Sequence, residues 1–220
     1  AWALMTEGID SRGYGFPVYF VAWGSGMSVL YSYLAIPLFY FFGPTLTVYR
    51  IPQAVIGILG VYAAYVLGRE IQEEKFGLFF AFVLAINPWN IMNTRFGLDA
   101  NMAPDMFLIA VTLLVLAIRK KPMYYVAAAI AMGLTLYCYA LSWIVIPIFL
   151  LLFLLLYRKR IRIGKELIIS IVVLGVMACP LLYFVGVNLN LLQEIKTRFF
   201  SIPKLLAFRG EEINIAHMID

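Results

Sequence analysis

The chain has 220 residues, of which 64% are hydrophobic and 13% are charged, and its mean hydropathy is +0.91. This composition excludes an ordinary soluble domain. It predicts an all-α fold, a polytopic transmembrane helical bundle, because helices satisfy their backbone hydrogen bonds inside a bilayer. The formal charge of +5 could suggest nucleic-acid binding. We exclude nucleic acid as a partner because most basic residues lie in short loops between apolar runs, where they mark membrane topology.

Residues 1–46 are predicted to form an extracytoplasmic loop with juxtamembrane helices. The first part of this region is polar and rich in Gly, and its Tyr and Trp side chains are typical of membrane-interface anchors. The apolar run 27–43 is followed by Pro44 and carries several tyrosines, which favours a helix lying on the outer membrane surface. A full transmembrane span is the alternative for this run, since about 17 apolar residues reach the lower limit for crossing a bilayer.

Six apolar runs over residues 47–186 predict a transmembrane bundle, on the rule of about 20 apolar residues per span with about 17–25 tolerated. The six predicted spans lie at 47–68, 76–91, 103–118, 122–138, 140–157 and 165–186. The boundary between the fourth and the fifth is the weakest, because residues 139–143 offer only a short polar turn.

The segments between these spans alternate in charge. Ten of the 17 Lys and Arg residues lie in the segments 69–75, 119–121 and 158–165. Short loops rich in Lys and Arg stay in the cytoplasm. The alternate segments 92–101, 139–143 and 187–220 are therefore predicted to face outside. We expect a multi-pass protein of the cell membrane whose active side is extracytoplasmic.

The last region, 187–220, changes character, because charged residues alternate there with scattered Leu, Ile and Phe. It predicts an extracytoplasmic loop with an amphipathic helix near 189–200. Arg209, Glu211 and Glu212 form a polar group that we expect to be solvated.

The sequence lacks the usual signals of soluble catalysis and metal binding. His217 is the only histidine, and Cys138 and Cys179 lie inside apolar runs, so we expect two buried, unpaired cysteines. The chain has no phosphate-binding glycine loop followed by Lys-Ser/Thr, no nucleophile elbow and no zinc motif. Nucleotide sugars are not available outside the cytoplasmic membrane. Chemistry at that face is therefore expected to use a substrate delivered by lipid.

The polar segment 93–101 holds the strongest candidate site, because charged groups at the mouth of a membrane bundle are costly. Asp99 either pairs with Arg95, or binds a polar substrate or a divalent cation such as Mg²⁺, Mn²⁺ or Ca²⁺. Arg95 either grips a phosphate in bidentate fashion or reaches the lipid headgroups. Asp105 lies in the first turn of a helix that Pro104 is predicted to start, where a carboxylate is expected to be structural.

Other candidates for substrate binding lie at the same predicted membrane face. Arg50, which opens the first span together with Gln53, either seats a lipid phosphate or marks the membrane boundary. Tyr137 and Tyr139, near the outer end of the fourth span, are either interfacial aromatic residues or substrate-binding groups.

Several short motifs follow one another in a specific order. They are Pro17-Val18-Tyr19-Phe20-Val21-Ala22-Trp23-Gly24-Ser25-Gly26, Leu30-Tyr31-Ser32-Tyr33-Leu34, Phe42-Gly43, Tyr49-Arg50-Ile51-Pro52-Gln53-Ala54, Arg95-Phe96-Gly97-Leu98-Asp99-Ala100-Asn101 with Pro104, and Leu136-Tyr137-Cys138-Tyr139-Ala140 with Pro147. In order and spacing these motifs resemble bacterial GT-C membrane glycosyltransferases, which are related to the protein O-mannosyltransferases and the aminoarabinose transferase of lipid A. The resemblance covers nearly the whole chain.

The resemblance implies an inverting transfer of a sugar from a polyprenyl-phosphate donor to an acceptor at the outer membrane face. It also implies surface-lying helices in the first outer loop. Asp99 is carried over as a carboxylate of the donor or metal site, and Arg95 and Asn101 are carried over as substrate-binding residues.

The resemblance further implies an acidic pair, usually Asp-Glu, after the first membrane helix, with the Asp as candidate base. Glu7 and Asp10 do not stand in that context, and Phe16-Pro17-Val18 stands where some relatives carry a lysine next to prolines. We therefore expect a fragment, truncated at both ends, that lacks the general base.

Two other functions remain open. A transporter for lipid-linked saccharides would show broken helices in repeated halves and charges at mid-membrane depth, whereas the charges here lie at the ends of the spans. A non-catalytic scaffold subunit is the second alternative, because the acidic pair is absent.

Overall fold

The computed structural model describes residues 1–22 and 25–206, which fold into nine α-helices and two β-hairpins. The helices are α1 (Trp2–Thr6), α2 (Leu30–Phe42), α3 (Leu46–Ile71), α4 (Glu74–Ile86), α5 (Pro88–Arg95), α6 (Asp99–Arg119), α7 (Tyr124–Leu136), α8 (Ser142–Tyr157) and α9 (Lys165–Asn188). The antiparallel hairpins pair β1 (Phe20–Ala22) with β2 (Ser25–Met27) and β3 (Ile195–Lys196) with β4 (Ser201–Ile202). The protein is mostly helical, as predicted. Arg209, Glu211, Glu212 and His217 lie outside the described residues.

Three helices in the described part of the chain, α3, α6 and α9, are long and apolar enough to cross a membrane. They correspond to the spans predicted at 47–68, 103–118 and 165–186. The span predicted at 76–91 is divided between α4 and α5, which meet at an angle of 61°. The break follows from local chemistry: Pro88 starts α5, and the Asn87 side chain accepts a hydrogen bond from Trp89 N at 2.9 Å.

The prediction of six spans is not confirmed, since the described helices provide three candidates, or four if the bent pair is one span. The runs 122–138 and 140–157 form α7 and α8, which have 13 and 16 residues. Both helices are shorter than a typical transmembrane span, which has about 17–25 residues. A turn held by a hydrogen bond of 2.8 Å from Trp143 Nε1 to Leu136 O separates them. The run 27–43 forms α2, which has only 13 residues and therefore favours the surface helix over the full span.

The amphipathic helix predicted near 189–200 is wrong. α9 ends at Asn188, and Asn190 has a positive φ of 61°, which turns the chain away from the helix axis. The turn between β3 and β4 is closed by side chains: Phe200 N donates to Thr197 Oγ1 at 3.1 Å, and Ser201 Oγ donates to Thr197 O at 3.0 Å. These local hydrogen bonds offer the backbone an alternative to a helix.

Helices α3 and α6 pack together through small and polar residues at intervals of three, four or seven, a spacing that keeps two helices in contact along their length. The contacts are Gln53 Nε2 to Asn101 O at 3.2 Å, Asp105 against Gly60, Thr112 Oγ1 to Ala63 O at 3.3 Å, and Arg119 to the carbonyl oxygen of Glu70. Asp105 is thus buried between the helices, with 3% of its surface exposed. It lies in the second turn of α6, because the helix already starts at Asp99.

The helices bring the loops together at two opposite ends. We call the end with residues 17–22, 25–33, 93–101, 137–141 and 195–202 the loop face, and the end with residues 69–75, 119–121 and 158–165 the basic face. At the loop face, Val18 N donates to Ser201 O at 2.9 Å, and Leu30 N donates to Tyr137 O at 3.2 Å. The first loop therefore packs against both the α7–α8 turn and the second hairpin.

The two cysteines differ in environment. Cys138 is fully buried beside Tyr31 and Met102, as predicted. Cys179 is exposed, which contradicts the prediction that both are buried. It lies on α9, and only 17% of the most apolar stretch of this helix is buried inside the protein.

Candidate functional site at the loop face

Asp99, the first residue of α6, joins two segments of the loop face. Its Oδ2 accepts a hydrogen bond from Ser28 N at 3.0 Å, just before α2 begins. A carboxylate in the first turn of a helix is stabilised by the positive end of the helix dipole. The side chain is half-buried, so Asp99 is held in place and still partly open to a ligand.

The predicted structural partner of Asp99 is not observed. No ion pair within 4.0 Å links Arg95 to Asp99, although both lie in the described part of the chain. Arg95 is exposed in the last turn of α5, where a cation complements the helix dipole. Asp99 was expected either to pair with Arg95 or to bind a polar substrate or a cation. The structure lacks the ion pair with Arg95.

Two tyrosines and a glycine form the wall next to Asp99. Tyr31 is 2% exposed, and its hydroxyl donates to Tyr49 O at 2.6 Å. The two rings lie 4.9 Å apart, and a Cβ on Gly97 would lie 2.6 Å from the Tyr31 hydroxyl oxygen. Burial raises the pKa of Tyr31 to about 12, so this hydroxyl stays protonated and acts as a donor.

Sequence reasoning treated Tyr31 as an interfacial aromatic residue and missed its place beside the candidate site. The available signal was the motif Leu30-Tyr31-Ser32-Tyr33-Leu34, which supported the family resemblance. A membrane-interface role predicts an exposed ring, whereas both Tyr31 and its neighbour Ser32 are buried.

Asn101 acts mainly on the backbone around it. Its Nδ2 lies 3.4 Å from Asn93 O and 3.4 Å from Phe96 O, and it donates to both carbonyls, which closes the turn between α5 and α6. Its own carbonyl accepts from Gln53, which is fully buried and whose Oε1 has no hydrogen-bond partner. In this structure Asn101 positions the segment that carries Asp99.

The other two predicted substrate-binding residues border the same face. Arg50 is exposed on the second turn of α3 and lies close enough to Tyr31 to interact electrostatically. Tyr139 is 44% exposed in the α7–α8 turn, directly after the buried Cys138. The structure therefore brings four of the five predicted site residues to the loop face and places Arg50 next to it, with Asp99 the most enclosed of the charged groups at that face.

An apolar cavity of about 360 Å³ lies at the same face, between the first loop, α7, α9 and the second hairpin. Its lining includes Phe16, Leu30, Tyr33, Tyr137, Met177 and Phe200. The Tyr33 hydroxyl donates to Pro17 O, and the Tyr137 hydroxyl donates to Met177 O at 2.8 Å. Because both hydroxyls are occupied by backbone carbonyls, the cavity presents a mainly apolar wall.

Residues that could serve as a metal cluster or as the missing base are not brought to this site. Over residues 1–22 and 25–206, no group of three His, Cys, Asp or Glu side chains lies together, so a metal site with three such protein ligands is not formed there. Asp10 is buried, and its Oδ1 accepts hydrogen bonds from Arg12 N at 2.9 Å and Tyr14 N at 2.8 Å. Asp10 therefore closes its own loop, while Glu7 is exposed.

Comparison with known proteins identifies the family. No curated protein and no solved structure matches the chain. The sequence profile of the dolichyl-phosphate-mannose-protein mannosyltransferase family matches residues 15–184, which run from the first loop almost to the end of α9. This match covers most of the described helices and the segments around Asp99. The chain therefore belongs to the dolichyl-phosphate-mannose-protein mannosyltransferase family, which is a family of membrane glycosyltransferases.

Proposed function

We propose that the protein transfers a sugar from a polyprenyl-phosphate donor to an acceptor at the extracytoplasmic face of the cell membrane. The observation that carries this proposal is the half-buried Asp99, which is held by Ser28 N, lies at the loop face and forms no ion pair with any residue that the structure describes. The family supports a lipid-linked sugar as the general kind of donor.

Each part of a lipid-phosphate donor has a counterpart at the loop face. The exposed guanidiniums of Arg95 and Arg50 suit a phosphate, since Arg binds phosphate in bidentate fashion. The apolar cavity of about 360 Å³ suits the first isoprene units. Asp99 orients a sugar hydroxyl or helps to balance charge at the leaving phosphate. Tyr139, which is exposed in the α7–α8 turn of the loop face, contacts the acceptor or the sugar.

The side of the membrane follows from the charge of the opposite end. Loops at the basic face are short and rich in Lys and Arg, and such loops are retained in the cytoplasm. The loop face then lies outside, where lipid-linked donors replace nucleotide sugars.

The transfer also needs a base that removes the proton of the acceptor hydroxyl. Among the described residues, Asp10 is buried and engaged by two backbone donors through Oδ1, and Glu7 is exposed outside the site. We assign the role of base to none of them.

The decisive experiment measures release of polyprenyl phosphate from labelled polyprenyl-phosphate sugars by the complete protein in detergent. We expect Asp99→Asn to abolish release without lowering the amount of folded protein, because the Asn Oδ1 can still accept from Ser28 N. The matched control is Asp105→Asn, which changes the same group six residues further along α6 and is expected to retain activity. Normal turnover by Asp99→Asn would overturn the site, and a matching loss in Asp105→Asn would transfer the role to that carboxylate.

A divalent cation at Asp99 is a separable part of the proposal. Oxygen ligands suit Mg²⁺, Mn²⁺ or Ca²⁺, and Asp99 is the carboxylate that we expect to hold the ion. If a cation is used, EDTA should stop release by the wild-type protein, and added Mg²⁺ or Mn²⁺ should restore it. Unchanged release in EDTA would show that the reaction needs no divalent cation, and it would leave the proposed transferase function intact.

One observation favours a second candidate, a transporter for lipid-linked saccharides. The 61° break between α4 and α5 is the kind of interruption that transporters use to line a substrate path. Vesicles containing the complete protein would distinguish the two functions. Movement of a lipid-linked saccharide across the bilayer without release of polyprenyl phosphate would support the transporter and contradict the transferase.

A further inference from the structure

A second possible site lies at the basic face, at the opposite end of the helices from Asp99. A polar cavity of about 570 Å³ there is lined by Glu70, Ile118, Arg119, Lys120, Arg160 and Arg162. These residues come from the ends of α3 and α6 and from the loop between α8 and α9. Four cations therefore converge on a cavity that contains one carboxylate.

Part of this charge holds the helix ends together. Glu70 is 8% exposed; its Oε1 lies 3.3 Å from Lys120 Nζ and 3.7 Å from Arg69 Nη2, and its carbonyl accepts from Arg119. Arg160 and Arg162 are exposed, and neither forms an ion pair within 4.0 Å in the described part of the chain. These two guanidiniums are therefore available for an anion.

The loop that carries the two arginines is anchored by the residue between them. Ile161 packs against the main apolar cluster, and its backbone N donates to Tyr157 O at 3.1 Å. Arg160 N donates to the same carbonyl at 2.7 Å. With Ile161 held against the helices, Arg160 and Arg162 flank it at the cavity wall.

An apolar groove adjoins this basic cavity. It has a volume of about 160 Å³, and its lining includes Leu114, Tyr125, Phe153, Leu154, Ile161 and Ile171. Leu114 in the groove and Ile118 in the basic cavity are one turn apart on α6, about 6 Å along the axis. Leu154 exposes 50% of its surface and Ile171 exposes 64%. The groove therefore opens toward the surroundings of the helices.

We propose that the basic cavity and the apolar groove together bind an anionic glycerophospholipid. The phosphodiester headgroup lies between Arg160 and Arg162, and one acyl chain follows the groove past Ile161. Basic cavities between membrane helices at the cytoplasmic surface are suited to anionic headgroups, and Arg recognises phosphate through paired donors. The groove favours a lipid over a soluble anion, because a free phosphate would leave the apolar surface uncovered. This lipid is distinct from the sugar donor at the loop face.

The test uses the complete protein, stripped of lipid in detergent and titrated with phosphatidylglycerol or phosphatidylcholine, with bound lipid counted by native mass spectrometry. We expect saturable binding of phosphatidylglycerol that is about tenfold weaker in Arg160→Gln/Arg162→Gln, since each basic residue near an anionic surface adds to affinity. The matched control is Arg158→Gln/Lys159→Gln, which removes the same charge from the same loop outside the cavity lining. Gel filtration checks that both variants are folded.

Three outcomes would overturn the proposal. Equal weakening by the control pair would mean that the total charge of the loop, rather than the cavity, attracts the lipid. Equal binding of phosphatidylcholine would exclude recognition of an anionic headgroup. Inorganic phosphate or glycerophosphoglycerol that competes as well as the intact lipid would make the ligand a soluble anion and exclude the groove.

Discussion

At the scale of single residues, the loop face depends on side chains that bond to the backbone of another segment. Asp99 accepts from Ser28 N, and Tyr31 donates to Tyr49 O. These contacts join residues 18 to 71 positions apart in the chain. Sequence reasoning selected Asp99 because a charge in a membrane protein is costly. It could not predict the contacts of Ser28 and Tyr31, because nothing in their local pattern indicates which distant group each of them meets.

Tyr31 provides a test of the wall beside Asp99. Tyr31→Phe removes the buried donor to Tyr49 O, so we expect a loss of about 1 kcal/mol in the free energy of unfolding. The matched control is Tyr40→Phe on the same helix, where the side chain is 75% exposed and no change is expected. Thermal unfolding of the complete protein in detergent measures both. Equal stability of the two variants would show that the Tyr31 hydrogen bond contributes nothing.

At the scale of elements, close helix contacts decide the packing of the bundle. α3 and α4 run antiparallel and approach at Gly77, where an added Cβ would lie 2.6 Å from Tyr65 O and 3.0 Å from Arg69 N. The backbone cannot yield as a flexible side chain does. The hydrophobic pattern predicts both helices but carries no information on this contact, because a glycine in an apolar run also fits a lipid-facing position.

Gly77→Ala should therefore destabilise the protein by about 1–3 kcal/mol through overpacking. Gly175→Ala on α9 is the matched control, because no atom lies within 4 Å of its added Cβ. Both changes improve helix propensity, so the control should be neutral or stabilising by up to about 1 kcal/mol. Denaturation of the two variants in the same detergent measures the difference. A Gly77→Ala variant as stable as the control would contradict the close contact of α3 and α4.

At the scale of the whole molecule, the two ends of the bundle differ in charge and in content. The loop face carries the candidate transfer site, and the basic face carries the proposed lipid site. A contact between the first loop and the second hairpin brings residues from both ends of the described chain together, since Val18 N donates to Ser201 O at 2.9 Å. An intact first loop and second hairpin are therefore both needed to form the loop face.

The orientation of the bundle can be tested by labelling with a membrane-impermeant maleimide in intact cells. We expect Phe199→Cys at the loop face to be labelled in intact cells, and Lys159→Cys at the basic face only after permeabilisation. The background is Cys179→Ala, since Cys179 is exposed while Cys138 is buried. Both substituted side chains are exposed, so access depends on the side of the membrane. The reverse pattern would place Asp99 in the cytoplasm and contradict the proposed outer-face transfer.

The sequence by itself determined the helical class, the membrane environment, the position of α3, α6 and α9, and the family, because apolar run length and motif order are local properties of a chain. It also singled out Asp99 as a candidate and located the basic loops, because charge in an apolar sequence stands out. The tertiary structure decided the break at Asn87, the shortness of α7 and α8, and the hairpin in place of the helix at 189–200. These features depend on hydrogen bonds of particular side chains, which hydropathy does not record. The tertiary structure also decided that Asp99 meets Ser28 rather than Arg95, because that contact joins segments that only folding brings together.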